Sequence, residues 1–323
     1  MIQALASGFA CFLMSLLLVA IWRNRAWGDA AIGQDAARKL QLAAVPAIGG
    51  LSIGMVWFGQ ELCGAELAIF ARPLGILALI IALASGMLDD ARATGLRPLT
   101  KLTLQALAGT LLGALFLFPS GLGGQLDLSP EALSQGALAL FAALVFQNGV
   151  NTFDNADGAA SSVGGAGFLV AGSPLAPAVL AFLIPNLVLR RSSGKGAIGA
   201  DPVAYLGDGG SQLLGLALLM TPGARMALML PLLDLARVAL LRLAQGSAPW
   251  VGDRRHLAHR LQRRGLSPIP LALLLTGISL PALFHSDIFG VSGTAILYLA
   301  ACIWTREPQI VAESDGLAQK TGL

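Results

Sequence analysis

The chain has 323 residues, of which 55% are hydrophobic and only 12% charged, and its mean hydropathy is +0.73. A soluble domain carries about 25% charged residues, so this composition excludes an ordinary water-soluble globule and points to lipid as the solvent. The net charge of +3 and a pI near 9.0 call for no nucleic-acid partner, because membrane proteins already concentrate Lys and Arg in their cytoplasmic loops. Sparse aromatics (6%) and abundant glycine (39 residues) suit helices packed through small side chains.

In chain order, apolar segments at 2–22, 45–60, 68–88, 101–119, 135–150, 158–172, 174–190, 210–221, 224–243, 269–284 and 288–304 predict an all-α, polytopic integral membrane protein. The reading is eleven transmembrane helices. Ten is the alternative, because several segments fall short of the ~20 residues of a perpendicular span. The first run, from Ile2 to Trp22, is long enough to cross a bilayer. Only Met1 precedes it, with no basic n-region, so a cleaved signal peptide is not expected.

Loop charges orient the map. With the N-terminus outside and the C-terminus cytoplasmic, 19 of the 21 Lys and Arg residues fall inside, and only Arg72 and Arg225 remain outside. No second, soluble domain is expected, and residues 1–323 read as a single transmembrane unit. The three cysteines, Cys11, Cys63 and Cys302, lack metal-type spacing and read as small buried hydrophobes.

Carboxylates gather at one edge of this map. Asp89 and Asp90 end the third segment, Asp154 and Asp157 follow the fifth, and Asp208 precedes the eighth. Asp234 lies within the ninth, and Asp253 lies in the loop after it. Their settings are apolar or Gly-rich: GMLDD, NTFDNADG and YLGDGGS. Acids at a membrane edge are costly and point to function. Oxygen ligands converging from several helices suit a hard divalent cation such as Mg²⁺, which also bridges phosphates. Gly207, Gly209 and Gly210 leave backbone N–H groups as a candidate phosphate cradle. The alternative is that each acid caps a helix or pairs with a loop arginine.

The loop SAPWVGDRRHLAHRLQRRGL brings positive charge to the same edge. If it is helical, His256, His259, Arg260 and Arg263 share one face through i, i+3 and i+4 spacing, a face able to neutralise a diphosphate. The alternative is a basic anchor on anionic lipid.

Taken in order, these segments resemble the polyprenyl-phosphate N-acetylhexosamine-1-phosphate transferases, a glycosyltransferase family of bacterial membranes. GMLDDARATGLRPLTKLTLQ is similar to the family's DD-x-x-x-GL…K…Q segment at Asp89, Asp90, Gly95, Leu96, Lys101 and Gln105. QNGVNTFDNADGAA is similar to N-x-x-D-G-x-D-G at Asn151, Asp154, Asp157 and Gly158. YLGDGGSQLLG is similar to GD-x-GS-x-x-LG at Gly207, Asp208, Gly210, Ser211 and Gly215. The stretch from Pro231 to His259 is similar to PxxD…R…PDR-x-H-x-HH at Pro231, Asp234, Asp253, Arg254, His256 and His259. VPAIGGLSIG resembles the family's P-x-x-GG entry at Pro46, Gly49 and Gly50. The resemblance covers about residues 35–265. The chain departs from it at Ala258, Gly252, Asn155 and Gln41, and in a long loop before Gly207.

The resemblance implies transfer of a sugar-1-phosphate from a UDP-sugar to undecaprenyl or another polyprenyl phosphate, with release of UMP, to start a cell-envelope glycan such as lipopolysaccharide. It implies Asp208 and Asn151 as ligands of Mg²⁺ (or Mn²⁺), and Asp89, Asp90 and Lys101 as catalytic groups at the acceptor phosphate. Asp154 and Asp157 would serve the uridine end or support the metal, and Arg254, His256 and His259 would hold sugar and diphosphate. It further implies a bacterial inner-membrane protein, embedded in the lipid bilayer with a cytoplasmic active site, for which a homodimer is compatible. The competing readings are a secondary transporter using intramembrane acids and the phospho-MurNAc-pentapeptide transferase branch of the same family.

Overall fold

The computed structural model describes residues 2–22, 45–62, 73–92, 94–119, 121, 123–192, 200–248 and 254–306. Cys63, Gln41, Gly252 and Asp253 lie outside the described residues. Each of the eleven apolar segments overlaps a helical stretch, with residues 68–72 of the third outside the described residues. The helices are α1 (Ile2–Trp22), α2 (Gly49–Leu62), α3 (Pro73–Asp90), α4 (Pro98–Leu117), α5 (Pro130–Phe153) and α6 (Ala159–Val170). Then come α7 (Ala176–Leu183), α8 (Gly207–Met220), α9 (Met229–Ala244), α10 (Leu257–Arg263), α11 (Pro268–Phe284) and α12 (Ile288–Trp304). Among the described residues, α1, α3, α4 and α5 are long and apolar enough to cross a membrane, by length and composition; α6, α7, α11 and α12 are shorter apolar helices.

The all-α expectation needs one amendment. The long loop before Gly207 folds as an antiparallel pair, β1 (Arg190–Ser192) and β2 (Ala200–Pro202), with Arg191 opposite Asp201. Its first strand follows a π-helical turn, Ile184–Val188, that continues α7.

The bundle is built around α8. Residues Gly209–Leu218 of this helix are buried without a break, so it is enclosed on every side and lies inside the protein. Glycine allows its first turn to press on its neighbours. A Cβ on Gly86 of α3 would stand 2.2 Å from the Asp208 carbonyl, and one on Gly50 of α2 would stand 2.3 Å from the Gly210 nitrogen. Gly207, at φ +75°, takes the left-handed turn that feeds α8, a conformation that costs glycine little.

Backbone bonds complete the junction. Tyr205 N donates to Pro46 O (2.9 Å), Gly49 N to Tyr205 O (3.0 Å) and Gly50 N to Leu206 O (3.0 Å). The Pro46–Gly50 motif thus laces the entry of α2 to that of α8. Gly86→Ala is expected to push α3 off α8 and destabilise the fold by roughly 1–3 kcal/mol, read as a lower thermal midpoint in detergent.

Candidate functional site

The ends of α3 and α5 meet the starts of α4 and α8 at one point, and Lys101 stands there. Its Nζ donates to Asp89 Oδ2 (2.9 Å) on α3, to Asn151 Oδ1 (3.4 Å) on α5 and to Asp208 Oδ2 on α8. The side chains of Lys101, Asp89 and Asp208 are 19%, 15% and 30% exposed, so the junction is open at one end. Asn151 Nδ2 donates to Ser211 Oγ (2.9 Å), and that hydroxyl donates to the Asp208 carbonyl (3.2 Å). Asn151 is thereby turned with its carbonyl oxygen toward the ammonium.

The paired aspartates do different things. Asp89 Oδ1 accepts from the Leu96 amide across the tight turn at Gly95, whose φ is +66°. Asp90 accepts from the amides of Asp208 (3.0 Å) and Gly209 (3.1 Å) and so caps α8 from a neighbouring helix. Of the Gly207, Gly209 and Gly210 amides expected as a phosphate cradle, only that of Gly209 is among the two so engaged. A carboxylate of the chain itself already takes those two amides.

Asp154 follows the last turn of α5. Burial drives its carboxyl well above the usual range, and the charges of Asp208, Asp157 and Asp90 add to that, against one bond from the Ala160 amide. Asp157 is also raised by burial, opposed by Arg190, whose Nη1 lies 2.5 Å from its Oδ2. Among the described residues, Lys101 is the cation that the structure sets among Asp89, Asn151 and Asp208. Two carboxylates, Asp89 and Asp208, thus share this one ammonium.

The donor set can be weighed for a divalent cation. Asn151 Oδ1 and Asp208 Oδ2 are hard oxygen atoms converging on one point, here the Lys101 nitrogen. Among the described residues, no three His, Cys, Asp or Glu side chains close round a common centre. A set of two oxygen donors is sparser than a calcium or zinc cage of three or more protein ligands. It fits Mg²⁺, which is held by one or two protein oxygens with substrate phosphates and water completing the shell.

The basic loop is arranged differently from expectation. It is helical as α10, but His256 precedes the helix and is buried, with its Nδ1 2.7 Å from Asp234 Oδ2. Arg260 Nη2 donates to the Cys302 carbonyl (2.6 Å) on α12. The shared face expected of His256, His259, Arg260 and Arg263 is therefore divided, with His256 and Arg260 turned into the protein. His259 Nδ1 lies 3.2 Å from Gln262 Oε1. Burial and the charges of His256, Arg254 and Arg263 hold the His259 imidazole below its ordinary value, against that bond. Ala258 packs into the core at 1% exposure.

Sequence reasoning passed over two participants. Arg190 was counted only as a loop charge, and it neutralises Asp157. Tyr298, one of two tyrosines in the chain, donates to Asp234 Oδ1 (3.0 Å) from a helix beyond every motif. A phenol in an otherwise apolar segment was the available signal.

Comparison with known proteins agrees with the ordered motifs. The chain is 26% identical over 294 residues to an undecaprenyl-phosphate alpha-N-acetylglucosaminyl 1-phosphate transferase of Yersinia pestis, covering 82% of this chain and 78% of that protein. The transferase of the same name from Escherichia coli K12 is 24% identical over 300 residues, with the same coverage. That of Salmonella typhi is 24% identical over 309 residues, 85% of this chain and 81% of its own. No protein-family model matches the chain.

Exchange of Lys101 for Met leaves the acids of this junction without their ammonium. The variant is expected to lose roughly 1–3 kcal/mol when metal-free and to gain more from added Mg²⁺ than the wild type does, both read as shifts of the thermal midpoint.

Proposed function

We propose that the chain is a polyprenyl-phosphate N-acetylhexosamine-1-phosphate transferase, like the relatives it resembles, and that it moves a sugar-1-phosphate, N-acetylhexosamine-1-phosphate above all, from a UDP-sugar to undecaprenyl or a related polyprenyl phosphate. An oxygen of the lipid phosphate attacks the sugar-bearing phosphorus. A new P–O–P linkage forms, the bond to the uridylyl phosphate breaks, and UMP leaves with that electron pair. The product is a diphosphate-linked lipid sugar, the starting point of a cell-envelope glycan such as lipopolysaccharide.

The observation that carries this reading is the junction at Lys101. Phosphoryl transfer needs positioning and charge neutralisation more than covalent help from the protein. An open junction rich in acids and poor in cations, with two hard oxygen donors turned inward, suits a substrate that arrives as a diphosphate with a divalent cation. Mg²⁺, with Mn²⁺ as a substitute, would neutralise charge on the departing UMP, and Asp208 and Asn151 would hold it.

Lys101 would meet the acceptor phosphate, with Asp89 holding its ammonium in place. Asp90 acts at one remove, by fixing the first turn of α8 and hence Asp208. The lipid phosphate is already largely ionised near neutral pH, so no strong base is required. Asp154 and Asp157 would support the uridine end, and Arg254, His256 and His259 would hold sugar and diphosphate. In this reading the N-terminus lies outside, and the junction faces the cytoplasm of a bacterial inner membrane. That orientation rests on the loop charges.

Purified protein supplied with undecaprenyl phosphate, Mg²⁺ and a panel of UDP-sugars is expected to release UMP with at least one N-acetylhexosamine donor. EDTA or Asp208→Asn should reduce that release by roughly a hundredfold or more. Turnover surviving both would overturn the metal assignment. Gradient-dependent solute flux without UMP release would favour a transporter instead.

A further inference from the structure

We propose that Tyr298 is a positioning residue for His256, acting through Asp234, so that α12 orients the donor-binding loop. The proposal rests on the reading that His256 meets the sugar diphosphate. Tyr298 is 2% exposed and Asp234 is 1% exposed, so their contacts are made away from water. The Tyr298 hydroxyl accepts from Arg237 Nε (2.6 Å) and donates to Asp234 Oδ1 (3.0 Å). The same Oδ1 receives Arg237 Nη2 (3.0 Å) and the Leu257 amide (3.1 Å). Oδ2 receives the imidazole of His256 (2.7 Å).

Charge neutralisation does not explain the tyrosine. Arg237 already supplies a cation to Asp234, and two further donors come from Leu257 and His256. What Tyr298 adds is geometry. It fixes the guanidinium of Arg237 edge-on and occupies Oδ1, which leaves Oδ2 for His256. With Nδ1 committed to a carboxylate, His256 has only Nε2 to offer a ligand, and its ring plane is set.

One face of α12 carries the rest of the loop. At i+4 from Tyr298, the Cys302 carbonyl accepts from Arg260 Nη2 (2.6 Å). At i+8, just past the helix, the Arg306 carbonyl accepts from Arg264 Nη2 (3.1 Å). Arg237 Nη2 also holds the Arg255 carbonyl (2.6 Å), at the residue before His256. A single strip of α12 therefore holds the middle and C-terminal end of α10 directly, and its N-terminal end through Asp234 and Arg237 of α9.

The test uses full-length protein and two independent readouts. The chain has three histidines, so ¹⁵N-histidine labelling gives a spectrum simple enough to assign. Tyr298→Phe, which keeps the ring and removes the hydroxyl, should shift the His256 imidazole resonances and leave those of His285 in place. Arg237→Lys, which keeps a charge and loses the Nε bridge, should do the same. Unmoved His256 resonances in both variants would overturn the proposal.

In the UMP-release assay, Tyr298→Phe should raise the KM for the UDP-sugar roughly tenfold while kcat stays within about twofold. On a His256→Ala background it should cost nothing further, since both changes act through one imidazole. Additive losses, or a wild-type KM, would overturn the proposal. A wild-type protein that releases no UMP with any donor refutes the transferase reading alone, and the resonances then decide the role of Tyr298.

Discussion

The Lys101 ammonium is the interaction on which the arrangement of helices depends. It bonds to side chains from three other helices, α3, α5 and α8, and its own helix makes the fourth wall. These contacts need backbones close enough for short Asp and Asn side chains to reach a common point. That is why Gly86 sits against the Asp208 carbonyl and Gly50 against Gly210. Larger residues would open the junction by more than an aspartate can span. The small-residue packing that suits a membrane bundle is here also the condition for a polar site.

The chain holds two acidic centres, and they differ in how completely they are satisfied. Asp234 is almost wholly buried and receives a guanidinium, a phenol, an amide and an imidazole. Removing a partner from such a buried pair costs about 3–5 kcal/mol, and the Asp234 carboxylate itself has no capacity left for a ligand. Its role is to hold its partners in place. Around Lys101 the balance differs among the described residues, with two carboxylates, Asp89 and Asp208, sharing one ammonium. Burial and neighbouring charge already hold Asp154 well above the normal carboxyl range. An arriving cation would stabilise such a centre, and the diphosphate substrate proposed above would bring one.

Much of this was legible in the sequence, for identifiable reasons. Acids at the ends of apolar segments are read directly from hydropathy, and the four helices that deliver Asp89, Lys101, Asn151 and Asp208 follow from it. The long-range pairings were not legible. Tyr298 lies 64 residues from Asp234, and no periodicity links them. Asp90 and Asp89 look equivalent in sequence. Only the left-handed turn at Gly207 shows which of them meets the amides of α8. The hairpin of β1 and β2 escaped because strands of three residues leave almost no alternation to detect.

One pattern was on the page and its meaning emerged only with the fold. Exactly one helical turn inward from Asp89, Lys101, Asn151 and Asp208 stand Ser85, Gln105, Gln147 and Gln212, all at 1% exposure or less. Same-face spacing on four helices places a neutral polar tier directly beneath the charged one. Gln105 pairs with Asn148 through both of its amide atoms, at 2.9 and 3.4 Å, and Gln147 donates to the Ala143 carbonyl at 3.0 Å. Hydrocarbon directly under a set of carboxylates would make their ionised forms far more costly. A tier of amides and a hydroxyl lowers that cost without adding charge that would compete for the cation. The acids can therefore stay close together at the edge of an apolar bundle.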